Sequence, residues 1–167
     1  FVNKEPVKAE ELETAINTQK LSIDPGDIVL ICTGADQLWG KPEYFTDFRG
    51  ISLNALKMLL ANGVNVVGVD SFGFDPPFHT MIENYNRFKM KEMLWPCHML
   101  GREREYCQIE RLAQLHQLPK DKKFMISCFP LKLKGCGAGP ARVVAIINQE
   151  LEHVQTNSSP PTDHNRN

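Results

Sequence analysis

Ile28-Val29-Leu30-Ile31-Cys32, then Ser52-Leu53 through Asn62-Gly63, then Val64-Asn65-Val66-Val67-Gly68-Val69-Asp70 is the stretch on which the fold of this chain turns. The first run is continuously apolar and follows the turn Asp24-Pro25-Gly26-Asp27, in which Pro presets φ and Gly supplies the permissive position. Such a run predicts a strand buried on both faces. Ser52 is a good helix N-cap, Leu53, Leu56, Leu59 and Leu60 recur at helical spacing, and Asn62-Gly63 closes the helix. Residues 64–69 then read as a second buried strand ending in Asp70. Strand, helix and strand with short connections form a βαβ unit, which predicts a parallel pair. In open α/β sheets ligand chemistry sits beyond the carboxyl ends of the strands. Asp70, Ser71 and Asp75 fall there.

Upstream, Pro6 followed by Val7, Glu11, Leu12, Ala15 and Ile16 predicts a short amphipathic helix with acidic residues early, where the helix dipole favours them. Residues 34–50 are a loop rich in aromatics and turn formers. Downstream, 79–100 is irregular and Met-rich, with a helix expected over 81–91. Residues 106–109 predict a short strand and 124–133 a longer one, where Pro130 implies an edge or a bulge. Residues 135–140 are a tight connection into an apolar strand over 141–147. From about Gln149 the chain turns polar, and 149–167 reads as a disordered tail.

The 167 residues suit one compact unit with a hydrophobic core, here placed at 1–148. Nineteen Lys+Arg against twenty Asp+Glu leave a net charge of −1, which argues against an electrostatic nucleic-acid binder. No apolar run approaches the roughly 18–20 residues of a membrane span, so no membrane partner is expected. No signal peptide is visible, and the expected location is cytoplasmic. Five cysteines, odd in number and scattered through apolar segments, predict reduced, partly buried thiols and no disulfide framework.

Three constellations could carry chemistry. Gly135-Cys136-Gly137-Ala138-Gly139-Pro140 has the glycines of a phosphate loop. Pro140 removes a backbone donor, though, and no Gly-Lys-Ser/Thr follows, so a hairpin turn is the better reading. Cys97, His98 and Cys107 lack the paired spacing of a structural zinc site. His98 and Glu110 offer a neutral imidazole and a carboxylate, donor types suited to Zn²⁺ or Mn²⁺. From the residues alone, a core histidine and a surface glutamate pairing with Arg104 or Arg111 explain them as well.

The ordered set of segments bears on that choice. Residues 25–34 (Pro-Gly-Asp-Ile-Val-Leu-Ile-Cys-Thr-Gly), Leu38-Trp39-Gly40, Gly63–Asp70, Pro96-Cys97-His98-Met99-Leu100, Ile109-Glu110-Arg111-Leu112, Leu118-Pro119, residues 129–135 and 139–145 resemble, in that order, the cyclase family of metal-dependent hydrolases. That family includes the bacterial-type kynurenine formamidases (arylformamidases). The resemblance implies an α/β fold: a compact domain with a mixed, barrel-like sheet core and flanking helices, found as homodimers. It implies that His98 and Glu110, twelve positions apart, are metal ligands, with zinc the first expectation and manganese the second. It implies hydrolysis of an amide or ester carbonyl in a small-molecule substrate, as in conversion of N-formylkynurenine to kynurenine in tryptophan catabolism. Trp39, Tyr44, Phe45 and Trp95 are the aromatics expected to pack against such a substrate, and Asp70 the carboxylate expected to support the ligands. Asp75, which precedes Pro76, is expected to form a turn.

The departures from the family count too. Its His-x-Gly-Thr-His-x-Asp-x-Pro-x-His segment, which supplies the first metal's ligands and a proton-transfer histidine, has no counterpart here. His79, His116, His153 and His164 all lie in other contexts. No catalytic residue is therefore expected within this chain, which reads as the C-terminal part of a longer enzyme lacking its N-terminal portion and inactive alone. Phe74–His79 and the insert before His98 leave the substrate open. The rival readings are a family hydrolase of another small lactone or ester, and a non-catalytic binding protein that keeps the fold.

Overall fold

The computed structural model describes residues 5–147. The polar tail expected over 149–167 lies outside the described residues. The chain divides into two compact units, Phe1–Lys122 and Lys123–Asn167.

The first unit is built on the βαβ stretch. β1 (Ile28–Ile31) pairs in parallel with β2 (Val66–Val69), Ile28 opposite Val66 and Ile31 opposite Val69. β2 pairs in parallel with β3 (Cys107–Ile109), so the order is β1-β2-β3. Between the first two strands runs α2 (Leu53–Ala61), preceded in the chain by α1 (Ala9–Thr18). Ser52 caps α2 by accepting a bond from the Ala55 amide at 3.2 Å, which stops the helix unravelling into the preceding loop. Leu56, Leu59 and Leu60 of α2 and Val64, Val67 and Val69 of the second strand segment are buried in one cluster with Ile31, Ile51 and Phe74.

Burial on both faces holds for the central strand only. β1 lies at the sheet's edge among the described residues, and Ile28 at its start is exposed while Ile31 is buried. An edge strand has a neighbour on one side only, so its apolar character does not guarantee burial.

The segment around Gly50 ties the elements together. The Val7 amide donates to the Gly50 carbonyl, the Ser52 amide to Val7, and the Ile51 amide to Phe74, all at 2.8–3.0 Å. A side chain at Gly50 would have no room. Its Cβ would lie 2.3 Å from the Pro76 nitrogen and 2.4 Å from the Asp75 carbonyl carbon. The glycine is what lets the loop after β2 press against this segment.

The helix expected over 81–91 is α3, Phe78–Phe88, begun immediately after Pro77 and ended at Lys89, whose φ is +56°. A short α4, Pro96–Leu100, follows where an irregular path was expected. Pro at the first helical position starts it.

The second unit, over its described residues, is an antiparallel pair. β4 (Met125–Pro130) lies against β5 (Ala141–Ile146), with Met125 opposite Ile146 and Pro130 opposite Ala141. Residues 131–140 close the hairpin, with the Leu131 amide bonded to the Pro140 carbonyl. Both units together give the mixed α/β class, with parallel and antiparallel strands and flanking helices.

The thiols depart from expectation. Only Cys97 is buried; Cys32, Cys107 and Cys136 are exposed and Cys128 is half-buried. Cys32 and Cys107 belong to the two outer strand segments, where the sheet leaves a side uncovered. All five are free, as read from their odd count.

Candidate functional site

β2 ends at Val69, and the loop that follows carries two buried carboxylates that do different work. Asp70 turns back to the end of β1. Its oxygens accept bonds from the Thr33 amide (2.9 Å), the Thr33 hydroxyl (2.6 Å) and the Gly34 amide (2.7 Å). Its carbonyl accepts the Tyr44 hydroxyl at 3.0 Å. Asp70 thus fastens the 33–45 loop to the sheet.

Asp75 reaches the other way. One oxygen accepts the Cys97 amide at 2.7 Å. The other accepts the His98 amide at 3.1 Å and sits 2.6 Å from His98 Nδ1. Asp75 is 3% exposed, so a carboxylate removed from water is satisfied by three donors from one helical turn.

Asp75, then, supports His98, and Asp70 does not. Asp75, expected to form a turn, is the carboxylate that meets His98, whereas Asp70, expected to support the ligands, is taken up by Thr33 and Gly34. The reason is the short α4, whose free amides at Cys97 and His98 meet Asp75.

With Nδ1 engaged by a carboxylate, the Nδ1–H tautomer is favoured and Nε2 is left as the acceptor. His98 Nε2 lies 3.8 Å from Glu110 Oε1. Glu110 follows β3, and its Oε1 accepts the Phe74 amide at 2.8 Å. The 70–75 loop therefore holds both candidate ligands, Glu110 through a backbone amide and His98 through a side chain. The Asp75 hydrogen bond raises the His98 pKa from its ordinary value. Burial opposes that rise, and the charges of Asp75 and Glu110 add to it.

The donor chemistry suits a divalent cation. Two ligands at about 2.1 Å from one ion at a tetrahedral angle stand about 3.4 Å apart, close to the 3.8 Å observed. Among the described residues no group of three or more His, Cys, Asp or Glu side chains converges. The pair by itself offers two donor atoms, His98 Nε2 and Glu110 Oε1. The backbone on either side of the pair is strained: Trp95, three residues before His98, has φ +50°, and Arg111, next to Glu110, has φ +61°. Such conformations persist where the surroundings over-determine them.

The aromatics divide between two places. Trp39, Tyr44 and Phe45 line a cleft of about 590 Å³ together with Lys41, Phe72 and Arg111. Trp95 does not join them. Its ring lies 5.5 Å from that of Phe78, and its amide donates to the Met81 sulfur. Tyr44 is almost wholly buried, and burial, seconded by the Asp70 charge, pushes its hydroxyl pKa up to about 12. Phe72, unnoticed in the sequence, and Arg111, read there as a partner of Glu110, complete the cleft. Cys97 next to His98 is a packed thiol and no ligand candidate: its Sγ–H donates to the Ile51 carbonyl at 3.2 Å, and burial raises its pKa strongly.

Residues 2–76 match the family model of the putative cyclases, in keeping with the resemblance carried by the ordered segments. No curated protein matches the sequence. The fold is similar to that of an isatin hydrolase bound to the product analogue thioisatinate, with a TM-score of 0.68 and 22% identity over 85% of this chain and 53% of that one. It is similar also to a potential metal-dependent hydrolase with cyclase activity (0.60, 23%, over 86% and 58%). A third similar structure is a predicted metal-dependent hydrolase from Bacillus stearothermophilus (0.59, 22%, over 86% and 57%). At these identities the likeness is one of fold. The chain spans 53–58% of the length of these structures.

Proposed function

We propose that this chain, with its cyclase-family match, contributes His98 and Glu110 to the metal centre of a hydrolase that cleaves an amide or ester carbonyl. The observation that carries the reading is that buried Asp75 engages His98 Nδ1 at 2.6 Å while His98 Nε2 faces Glu110 Oε1 across 3.8 Å, two acceptors turned to one point. A bound Zn²⁺ or Mn²⁺ supplies a water ionised near neutral pH and polarises the carbonyl. Asp75 holds the imidazole in the tautomer that presents Nε2. The Phe74 amide holds Glu110 by Oε1. The remaining ligands come from outside the described residues, since two donors fall short of the three that a catalytic zinc takes from protein.

An arylformamidase activity on N-formylkynurenine is the finer proposal. It is supported by the family resemblance and by the aromatic cleft whose Arg111 adjoins Glu110 in the chain. The isatin hydrolase fold supports a close relative of that chemistry, the opening of a cyclic amide fused to an aromatic ring. A homodimer belongs to the same proposal and is read by sedimentation.

The test has two parts. Zn²⁺ and Mn²⁺ binding, followed calorimetrically, should be lost in His98→Ala and Glu110→Gln while both variants keep the native thermal transition. The product of the complete gene should hydrolyse N-formylkynurenine or isatin, and this chain alone should not do so at an enzymatic rate. Undiminished metal binding in both variants would overturn the ligand assignment. A stable fold with no hydrolysis by the complete product would leave the non-catalytic binding protein.

A further inference from the structure

His98 is held through a peptide group as well as through its ring. The plane that joins Cys97 to His98 is bonded at both ends. Its N–H, which belongs to His98, donates to Asp75 Oδ2 at 3.1 Å. Its C=O, which belongs to Cys97, accepts the Tyr106 hydroxyl at 2.5 Å. The two bonds act on opposite edges of one rigid unit, so together they resist rotation of the backbone from which the imidazole projects.

The short α4 needs that help. It has five residues, and so short a helix is marginal without outside partners. The amide four residues beyond Cys97, that of Gly101, bonds to the His98 carbonyl at 3.1 Å. The Cys97 carbonyl is met by a side chain instead. The His98 side chain is 46% exposed, so packing alone does not fix it.

Tyr106 is itself aimed. A carbonyl only accepts, so the hydroxyl proton goes to Cys97 and a lone pair on the hydroxyl oxygen is left for a donor. Gln108 Nε2 is that donor. The Tyr106 ring packs against the main hydrophobic cluster, which anchors the other end of the side chain. Tyr106, Gln108 and Glu110 alternate along β3 and its two flanks, which places them on one face. β3 thus carries Glu110 directly and reaches the His98 peptide through Gln108 and Tyr106.

We propose that Tyr106, aimed by Gln108, is a positioning residue of the metal centre: it sets the Cys97–His98 peptide, and with it the imidazole, against Glu110. This rests on the hydrolase reading. One strand then governs both ends of the 3.8 Å gap between Nε2 and Oε1.

Tyr106→Phe, which removes the hydroxyl and keeps the ring, tests this with two readouts on this chain. Amide hydrogen exchange without metal should show the His98 N–H exchanging about tenfold faster, the size of one hydrogen bond, while Val67 in the central strand keeps its rate. A general loosening of the fold would speed both alike. Zn²⁺ affinity, measured calorimetrically, should fall about tenfold or more, the scale for a lost partner behind a metal-bound histidine. Gln108→Met leaves ring and hydroxyl in place but unaimed. It should shift both readouts the same way by less, and it keeps the test open should Tyr106→Phe not fold. An unchanged His98 rate in a folded Tyr106→Phe, or an equal acceleration at Val67, would overturn the proposal, and so would a faster His98 amide with undiminished zinc affinity. Zinc binding that is lost in His98→Ala yet untouched in Tyr106→Phe would keep the ligands and remove Tyr106. A wild-type chain that takes up no zinc would remove the hydrolase reading, and the exchange rates alone would then decide whether Tyr106 sets the His98 peptide.

Discussion

Replacing Asp75 by Asn separates a positioning carboxylate from a turn former. In the structure one oxygen accepts the Cys97 amide, and the other accepts the His98 amide and faces His98 Nδ1. Asparagine keeps one acceptor and exchanges the other for a donor. In its better orientation the amide oxygen serves His98, and its NH₂ confronts the buried Cys97 N–H. One donor is then orphaned, at a cost of about 1–3 kcal/mol. In the other orientation His98 loses both bonds, at about twice that. The expected loss in a urea titration is therefore about 1–3 kcal/mol, by relaxation to the better orientation. Without the carboxylate the His98 pKa should fall toward the ordinary histidine value, because the Asp75 hydrogen bond is the largest cause of its rise. Zn²⁺ or Mn²⁺ affinity should drop by about 10–100-fold, as for other lost partners of a metal-bound histidine. A folded Asp75→Asn with His98 pKa and metal affinity unchanged would refute the reasoning and return Asp75 to the role of a turn residue.

Leu56→Ala should cost about 2–5 kcal/mol in the same titration, because Leu56 is wholly buried under the sheet and leaves a cavity; a loss below 1 kcal/mol would mean that α2 does not pack as described. Gly50→Ala drives a Cβ into the Asp75–Pro76 backbone, so it should destabilise by about 1–3 kcal/mol and weaken metal binding together with Asp75→Asn; a neutral Ala would show that this approach is not needed. Tyr44, whose pKa burial lifts to about 12 against roughly 10 unfolded, favours the folded state fully below about pH 10. That stability is lost as pH rises toward 12, and Tyr44→Phe should flatten the alkaline limb of the stability profile. An identical limb in the Phe variant would count against it.

Within the first unit the βαβ stretch was readable because its signals are local. A run of five apolar residues, leucines at helical spacing and a serine before them each act within one element, and burial of Leu56, Leu59 and Leu60 follows from them. The boundaries of α3 slipped by three residues because Pro77 starts the helix earlier than its apolar pattern does. The exposure of Ile28 and Cys32 was not readable, since an edge strand and a central one share the same composition.

In the candidate site, residue types and family spacing brought out His98 and Glu110. Asp75 was misassigned because a residue before proline carries a strong local turn signal, and its true partners are 22 and 23 positions away. Phe72 left no local trace, and Arg111 was read as a partner of Glu110, not as part of the aromatic cleft. Chemical identity, periodicity and caps are properties of neighbours along the chain, and these the sequence determined by itself. Which carboxylate meets which amide, and which aromatic rings share a wall, depended on the register of β2 against β1 and β3 and on the one glycine that lets the loop after β2 close in. Those are distances between segments remote in sequence, and only tertiary packing sets them.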